Sequence, residues 1–416
     1  MSANISPSEL ALELLNHCLR GGTWPADLLE ALIGAALSPD PGRAREGSRA
    51  LFGILVERLA DLFEPDLASL YAAMFSSVVA AALPELNEAE LVARYHRVRA
   101  IRPFSGDASA VRDVFVLSRV TLGADVAIAS VMLDAAKRRF PGATVWFVGP
   151  HKNWELFNAD PRLKHLPMSY GRRGDLRDRL GIFADLRDAL SRPASIVLDP
   201  DSRLTQLGLL PVCPEENYWF FESRAYGSAT SAPLPVLAAL WLAETFGVAD
   251  ARPYIAPRER PDAGHTPLIT VSFGVGENPS KRMRDPFEEN LLRGLARAGS
   301  LVLVDQGAGG EEAARVERAI HRSGAGPGQI RTWDGAFAPF ASLIQRSRLY
   351  VGYDSAGQHV AAACGVPLVT IFAGFAGQRM FDRWKPSGSG PMHVLRVDDP
   401  DPDKVLVDAL SAAYRL

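Results

Sequence analysis

The spacing of apolar residues divides the chain into two regions. From Ser8 to about Ala100, leucines and other apolar residues recur at every third or fourth position, and prolines fall between the runs. This spacing is typical of amphipathic helices, because residues three and four apart share one helix face. After Asp113 the pattern changes to short apolar runs that alternate with helical ones. We therefore predict four or five helices without a strand, followed by alternating strands and helices.

The alternating region itself falls into two halves. Residues 252–267 are rich in proline and charge, a composition typical of a linker. Strands and helices alternate on both sides of it, as in Rossmann-like units with a parallel sheet. The predicted fold class is α/β, with two Rossmann-like domains facing across a cleft and preceded by an all-α domain. The predicted bounds are 1–105 for the helical domain, 106–252 for the first Rossmann-like domain and 265–416 for the second, whose C-terminal helix (403–414) is expected to pack back on the first.

Composition and charge exclude some classes of partner. The chain has 416 residues, 47% of them hydrophobic, and a formal net charge of -3 without a basic block, so nucleic acid is not expected as a partner. Three widely separated cysteines fit neither a disulfide framework nor a zinc site. The first residues lack the pattern of a signal peptide, and no apolar run approaches the length of a membrane span. A cytoplasmic location is expected, and peripheral contact with the inner membrane stays open.

The polar residues from Asp354 to His359 form the strongest candidate site. They lie where a predicted strand, Leu349–Tyr353, meets a short helix. Open α/β sheets bind ligands at this end of their strands, and a helix N-terminus favours an anion. The sequence therefore predicts a phosphate-bearing ligand, with Ser355 as the helix cap and Gly357 allowing the ligand to approach the backbone. The alternative is that His359 only caps or packs.

A glycine-rich turn marks a second candidate site at the start of the second half. Gly274 and Gly276 follow a predicted strand that contains Ser272, and Lys281 and Arg282 come shortly after. Gly-x-Gly alone is a weak signal, since many strand-to-helix turns use it. Two adjacent cations supply charge for a diphosphate, so the turn is predicted to hold phosphates.

Two strand ends of the first half also carry polar residues. Arg119 and Asp125 follow one predicted strand, and Asp199 ends another that leads to Arg203 and Gln206. An Asp at a helix start is commonly only a cap, and a surface loop is the alternative for the second group. Asp199-Pro200-Asp201 is the only near match to an Asp-x-Asp metal motif, in a setting that does not suggest Mg²⁺ ligation.

These motifs together resemble glycosyltransferase family 9, the ADP-heptose:lipopolysaccharide heptosyltransferases. Asp-Ser-x-x-x-His followed by Ala-Ala-Ala-x-Gly-x-Pro is similar to the family's carboxyl-half signature. The Gly-rich turn with Lys-Arg resembles its nucleotide-phosphate loop, and the segment from Arg119 to Asp125 resembles its first-half motif. The resemblance covers about residues 114–397. Gly123 and Gly357 are each shifted by one place from the family pattern, and residues 373–379 replace its Phe-Gly-x-Thr loop.

The resemblance implies a glycosyltransferase of the GT-B fold, with a place in lipopolysaccharide biosynthesis. It would move a heptose-like sugar from a nucleotide-diphosphate sugar, ADP-heptose among the candidates, to a hydroxyl of a glycan, glycolipid or protein. Asp125 would be the general base of an inverting displacement. The implied acceptor-side residues are Arg119, Asp199, Arg203 and Gln206. The implied donor-binding residues are Ser272, Gly274, Gly276, Lys281, Arg282, Asp354, Ser355, Gly357 and His359.

No metal or cofactor beyond the nucleotide sugar is expected, since Lys281, Arg282 and helix N-termini would stabilise the leaving diphosphate. Two other functions stay open. The helical front supports a protein glycosyltransferase with a helical acceptor domain, and the shifted glycines support a non-catalytic sugar-nucleotide binder. The helical domain also leaves homo-oligomerisation open. The sequence does not identify the sugar, the nucleotide base or the acceptor.

Overall fold

The computed structural model of the chain describes residues 5–172, 174–262, 268–276, 278–307, 309–398 and 401–416. The C-terminal part of the predicted linker (252–267) and the predicted start of the last domain at residue 265 lie outside the described residues. The three domain bounds therefore stay a prediction.

The N-terminal region is helical, as its apolar spacing predicts. No strand occurs among the described residues before Asp113. Pro7, Pro41 and Pro65 each lie in the first turn of a helix, where the missing proline N–H leaves no helical bond unmade. The helices are α1 (Pro7–Gly21), α2 (Ala26–Ala36), α3 (Pro41–Arg49), α4 (Glu57–Asp61), α5 (Pro65–Ala82) and α6 (Glu88–Val98), with the π-helical turn Ala50–Val56 joining α3 to α4.

The helix α5 is long and apolar enough to cross a membrane by length and composition, which corrects the expectation that no run approaches that length. Its side chains Tyr71, Phe75, Val78 and Val79 are buried among the other helices. A core helix of a folded region meets the same criterion of length and composition, and these contacts are those of a core helix.

The first sheet consists, within the described part of the chain, of parallel strands in the order β3-β2-β1-β4-β5. Its strands are β1 (Asp113–Leu117), β2 (Thr144–Gly149), β3 (Leu163–Pro167), β4 (Ser195–Asp199) and β5 (Tyr218–Phe220). Its helices are α7 (Leu122–Ala124), α8 (Ser130–Arg139), α9 (His151–Trp154), α10 (Leu176–Leu180), α11 (Ile182–Leu190) and α12 (Leu234–Phe246), with π-helical Asp125–Ala129 joining α7 to α8.

The second sheet is also parallel, and among the described residues its order is β11-β10-β9-β6-β7-β8. Its strands are β6 (Leu268–Ser272), β7 (Leu301–Asp305), β8 (Ile330–Trp333), β9 (Leu349–Tyr353), β10 (Leu368–Phe372) and β11 (Met392–Arg396). Its helices are α13 (Phe287–Ala296), α14 (Gly310–Ser323), α15 (Phe337–Ile344), α16 (Ala356–Ala363), α17 (Gln378–Trp384) and α18 (Pro402–Arg415). The predicted α/β class with two Rossmann-like halves is confirmed.

The helical segment and the first sheet share one hydrophobic core. Leu51, Leu55 and Phe75 from the helices belong to the same buried cluster as Phe115 and Leu117 of β1. These five side chains are at most 1% exposed. The helices therefore cover one face of the first sheet instead of forming a core of their own.

The C-terminal helix α18 packs on the second half, so the prediction that it returns to the first half is wrong. The Tyr414 hydroxyl donates to the Gly294 carbonyl at 2.7 Å, which ties the helix to α13. Small side chains on one face of α18 let it lie close to the second sheet and enter its core. These buried residues are Val405, Ala409, Ala412 and Ala413.

The two halves meet where α7 lies against α16. A Cβ atom on Gly123 would lie 3.1 Å from the Ala356 Cα and 3.2 Å from the His359 Cδ2. A larger side chain at this position would push α7 away from α16. The glycine shifted from the family pattern in the first half therefore sits at the contact between the halves.

Candidate active site

A cavity of about 590 Å³ lies between the two halves. Its lining comes largely from segments that follow the carboxyl ends of parallel strands, the edge where open α/β sheets bind ligands. The segment from Thr121 to Ala124 follows β1, and the turn from Gly274 to Gly276 follows β6. Asp305 ends β7, and the segment from Asp354 to Ala356 follows β9.

Most of the predicted donor-binding residues converge on this cavity. The Gly-rich turn and the Asp354–His359 segment, far apart in sequence, form neighbouring parts of its lining because β6 and β9 pair in the sheet. The predicted residues found in the lining are Ser272, Gly274, Gly276, Lys281, Asp354, Ser355 and His359.

Lys281 is held in the cavity by a chain of hydrogen bonds. Its Nζ donates to the Asp354 Oδ2 at 2.5 Å, and its side chain is 18% exposed. The Gln358 Nε2 donates to the other Asp354 oxygen at 2.5 Å, and the Thr370 hydroxyl donates to the Gln358 Oε1 at 2.7 Å. An ammonium group has three N–H donors, so Lys281 can bind an anion while it stays paired with Asp354.

The N-terminus of α16 opens on the same cavity. Ser355 stands at the N-cap position, but its hydroxyl makes no hydrogen bond to helix N–H groups in the described residues, so the predicted cap is wrong. The Ser355 Oγ instead lies 3.5 Å from the Tyr350 Oη. The first N–H groups of α16 are thus left for a ligand, and the helix dipole favours an anion there.

Gly357 does not serve ligand approach, which corrects that prediction. A Cβ atom at this position would lie 2.3 Å from the Tyr350 Oη and 2.6 Å from its Cζ. The absent side chain makes room for the buried Tyr350 ring under α16. Ala356, one residue earlier, is the residue of this turn that lines the cavity.

Arg282 lies outside the cavity lining, and its predicted role in donor binding stays a prediction. Its Nε donates to the Glu288 Oε1 at 3.0 Å, and it also pairs with Asp285. The same Glu288 oxygen accepts from Arg315 and, at 3.1 Å, from the Tyr353 hydroxyl. Burial raises the pKa of Glu288, and the two arginines oppose that rise. Arg282 therefore anchors the loop that carries Lys281.

His359 lines the cavity in its neutral form. Burial lowers the pKa of this imidazole to about 4, because a charged ring is poorly solvated there. Its ring centroid lies 5.9 Å from that of Trp384 in an edge-on contact. At neutral pH His359 offers the ligand an uncharged ring.

Asp125 is closed off from the cavity, which corrects the expectation that it faces the cleft. It is 0% exposed. Its Oδ2 accepts from the Ser118 hydroxyl and the Asn153 amide, both at 2.6 Å, and its Oδ1 accepts from the Arg119 backbone N–H at 2.6 Å. Burial raises its pKa to about 6, although these hydrogen bonds lower it. Asp125 fixes the loop that leads into the cavity lining at Thr121.

Asp199 and Gln206 are also internal, and their predicted acceptor contacts are wrong. Asp199 is 0% exposed and accepts from the hydroxyls of Thr205 and Tyr218, each at 2.5 Å. Burial raises the pKa of Asp199 to about 6. The Gln206 side chain is buried and donates to the Arg179 carbonyl at 3.4 Å.

The other two acceptor candidates, Arg119 and Arg203, lie outside the cavity lining. The Arg119 guanidinium donates to the Ser223 hydroxyl at 2.6 Å and lies 5.8 Å from the ring centroid of Trp384, which lines the cavity. Arg203 forms an ion pair of 3.5 Å with Glu57 of α4. Arg119 therefore lies next to a residue of the cavity lining, and Arg203 connects the first half to the helical segment.

Sequence analysis missed several lining residues. Asp305 ends β7 and accepts from the Ser272 hydroxyl at 3.3 Å, and burial raises its pKa. A carboxylate at the end of a predicted strand was a usable signal for it. Glu312, Phe337 and Trp384 gave no such signal, since they lie in helices without a distinctive pattern. Among the described residues no group of three or more His, Cys, Asp or Glu could hold a metal ion.

Residues 335–399 match the model of glycosyltransferase family 9 (heptosyltransferase). The fold is shared with a family 9 glycosyltransferase from Veillonella parvula DSM 2008, at 15% identity and a TM-score of 0.52 over 72% of this chain and 93% of that one. It is shared with the E. coli heptosyltransferase WaaC bound to ADP-2-deoxy-2-fluoro heptose (14%, TM-score 0.54) and to ADP (13%, TM-score 0.55), each over 73% of this chain and 99% of that one. No curated protein sequence matches the chain. The predicted GT-B fold is therefore confirmed, and the match over residues 335–399 agrees with the predicted resemblance to glycosyltransferase family 9.

Proposed function

We propose that the protein transfers a heptose-like sugar from a nucleotide-diphosphate sugar to an acceptor hydroxyl, with inversion and without a metal ion. The observation that carries the proposal is the cavity between the halves, where Lys281 and the N-terminus of α16 converge. The proposed donor is ADP-heptose, because WaaC structures of the same fold bind ADP and an ADP-heptose analogue.

The diphosphate of the donor binds Lys281 and the first N–H groups of α16 in this proposal. Charge grows on the leaving diphosphate as its bond to the sugar breaks. A fixed ammonium group and oriented N–H donors stabilise that charge without having to reorganise. The neighbouring Gly274 has little free space, since a Cβ there would lie 2.9 Å from the Glu312 Oε1.

The nucleoside lies toward the outer strands of the second sheet. Asp305 stands at the end of β7, the second strand of this half, with its carboxylate in the cavity lining. A carboxylate near that strand end binds ribose hydroxyls in Rossmann-type units. Phe337 lines the same part of the cavity and offers an apolar surface for the base.

The acceptor approaches from the first half. Lys152, Glu155 and the segment from Thr121 to Ala124 line that side of the cavity. An acceptor hydroxyl entering there reaches the sugar from the side opposite to the diphosphate on Lys281. A single displacement in this geometry inverts the configuration at the anomeric carbon.

A protein acceptor is the second candidate, and one contact favours it. Phe63, between α4 and α5 of the helical segment, lies edge-on to Trp384 with ring centroids 6.2 Å apart. The helical segment thus reaches the cavity lining, where it can contact an acceptor as large as a protein.

The first experiment is to incubate the purified protein with a panel of nucleotide sugars and acceptors and to measure release of nucleoside diphosphate. We expect ADP-heptose to give the highest rate and mass spectrometry to identify the acceptor that gains the sugar. Release of nucleoside diphosphate from none of the donors with any acceptor would contradict the proposed function.

Lys281→Ala should weaken ADP binding by roughly 1.5–3 kcal/mol, the range for a charge-assisted hydrogen bond. Lys385→Ala is the matched control, because Lys385 also pairs with an aspartate, Asp382, at 3.5 Å but is not part of the cavity lining. Calorimetry with ADP on both variants is the measurement. Equal affinities of the two variants would remove Lys281 from the donor site.

Turnover should stay within about twofold of its starting value in excess EDTA, because cationic side chains and N–H donors stabilise the leaving group in the proposal. The rate is measured before and after chelation and after Mg²⁺ or Mn²⁺ is restored. A loss of turnover that either ion reverses would show that a metal takes part.

A further inference from the structure

Trp384, the last residue of α17, lines the cavity at a point where three parts of the chain meet. Its ring centroid lies 5.9 Å from that of His359 in the second half and 6.2 Å from that of Phe63 in the helical segment. The guanidinium carbon of Arg119, from the first half, lies 5.8 Å from the same centroid. The half-buried Trp384 side chain therefore has neighbours from all three parts of the chain and still reaches the cavity.

The preceding residue, Arg383, fastens α17 to the first half. Its guanidinium donates three hydrogen bonds of 2.7–2.9 Å to the loop before α12, at the carbonyls of Gly227, Thr230 and Ala232. The Arg383 side chain is 2% exposed. A planar guanidinium fixes the direction of each bond, so three such bonds hold it in one orientation. Arg383 therefore holds α17, an element of the second half, against the first half.

The backbone of Trp384 is linked to the cation that binds the diphosphate in the proposed function. The Gln358 Nε2 donates to the Trp384 carbonyl at 3.3 Å and to an Asp354 oxygen at 2.5 Å. Asp354 in turn accepts from the Lys281 Nζ at 2.5 Å. Hydrogen bonds thus fix Trp384 relative to Lys281. The sugar of a nucleotide-diphosphate sugar is bonded to the second phosphate, so it lies next to the group that Lys281 binds.

The Trp384 side chain offers a sugar two kinds of contact. Its ring is an apolar surface on which the C–H groups of a sugar pack. Its indole N–H makes no hydrogen bond to the described residues, and this nitrogen is only a donor, which suits a sugar hydroxyl. Phe337 is the other Phe, Tyr or Trp among the described residues of the lining, and it faces the base in the proposed function. Trp384 is therefore left for the sugar.

We infer that Trp384 binds the sugar of the donor and that Arg383 positions its ring. The inference rests on the proposed function. The ring packs against C–H groups of the sugar, and the indole N–H donates to one of its hydroxyls. ADP alone ends at the diphosphate on Lys281 and makes neither contact. Trp384 and Arg383 therefore determine the affinity for the nucleotide sugar and not the affinity for ADP.

The test separates affinity for the sugar from affinity for the nucleotide. ADP and ADP-2-deoxy-2-fluoro heptose, the analogue bound in the WaaC structure, are titrated separately by calorimetry. We expect Trp384→Leu to lower the affinity for the analogue by about tenfold and to leave that for ADP within about twofold of wild type. Trp384→Phe keeps a ring without the N–H and should lower the affinity for the analogue by about threefold.

Trp24→Leu is the matched control. Trp24 is also half-buried, but it lies in the helical segment and is not part of the cavity lining. Both affinities should be unchanged in this variant. The melting temperature of each variant shows whether it is folded, and Trp384→Phe provides the comparison should Trp384→Leu not fold.

Arg383→Gln tests the positioning role without altering the ring. We expect the same selective loss of affinity for the analogue, by about fivefold, because α17 is no longer held against the first half. Arg383→Lys keeps a cation that reaches some of the three carbonyls, so it should recover part of this affinity. Equal losses for ADP and the analogue in Arg383→Gln would contradict the positioning role.

Two results would overturn the inference about Trp384 while wild-type turnover leaves the proposed function in place. One is an equal loss of affinity for ADP and the analogue in Trp384→Leu, and the other is no loss for either. A wild type that releases no nucleoside diphosphate from any donor with any acceptor would overturn the proposed function instead.

Discussion

Asp125→Asn is expected to lower the free energy of unfolding by about 3 kcal/mol. The substitution replaces a carboxylate, which has two acceptor oxygens, by an amide, which has one acceptor oxygen and one donor nitrogen. The carboxylate accepts from the Ser118 hydroxyl, the Arg119 N–H and the Asn153 amide in a site without water access. An amide cannot accept from all of them, so at least one buried donor loses its partner. Urea unfolding of wild type and variant measures the difference.

The same comparison at two pH values tests the titration of Asp125. Its folded pKa of about 6 lies above the ordinary aspartate value of 3.8. The folded state therefore binds more protons between these values, and wild-type stability falls as pH rises through 6. The Asn variant has no such group. Its loss of unfolding free energy relative to wild type should therefore be larger at pH 5 than at pH 7, by about 1 kcal/mol. The similar titration of Asp199 occurs in both proteins and cancels.

A variant as stable as wild type but strongly reduced in turnover would show that Asp125 acts directly on the acceptor. The structure predicts a different pattern. A displaced loop near Thr121 should reduce stability and turnover together, since this loop ends in the cavity lining. The melting temperature and kcat of one variant are enough to separate the two outcomes.

Glu288→Ala should cost about 3 kcal/mol of stability and weaken ADP binding by about tenfold. One oxygen of Glu288 accepts from Arg282, Arg315 and the Tyr353 hydroxyl, and its side chain is 2% exposed. Its removal leaves two cations near the core without their anion. The loop with Lys281 then loses its anchor, so the donor site loosens as well. Urea unfolding and calorimetry with ADP measure the two effects.

Two further variants show whether the buried position matters. Glu288→Gln keeps an oxygen where all three donors meet, because the other Glu288 oxygen has no partner among the described residues. It should therefore cost less than Glu288→Ala. Asp285→Asn removes the exposed partner of Arg282 and should change stability by less than about 1 kcal/mol. Equal losses in Glu288→Ala and Asp285→Asn would mean that the network does not hold the loop.

The architecture was predictable because its helices and strands differ in the spacing of their apolar residues. Apolar runs such as Leu349–Tyr353 mark buried parallel strands, and the leucine spacing before residue 100 marks helices. The half-buried strand β3 and the outer strands β8 and β11 have too few apolar residues to give such a signal. The convergence of the Gly-rich turn and the Asp354–His359 segment was predictable from the rule for strand ends.

Side-chain direction was not predictable from motif position. Asp125 and Arg282 stand where the family motif has its acid and its second cation, but local partners turn both away from the cavity. Position 357 has to be glycine because the Tyr350 ring, on β9, fills the space that a side chain would need. The contact of Phe63 with the cavity residue Trp384 could not be inferred either, since it depends on how the helical segment docks on the sheets.

The core shared by the helical segment and β1 limits how this enzyme can be re-engineered. A chain shortened to the two Rossmann-like halves would present Phe115, Leu117 and their neighbours to water as a continuous apolar face, which favours aggregation. A helical segment transplanted from another protein would meet the same face with side chains of unmatched shape. Replacement of the helical segment therefore has to include the facing residues of the first sheet.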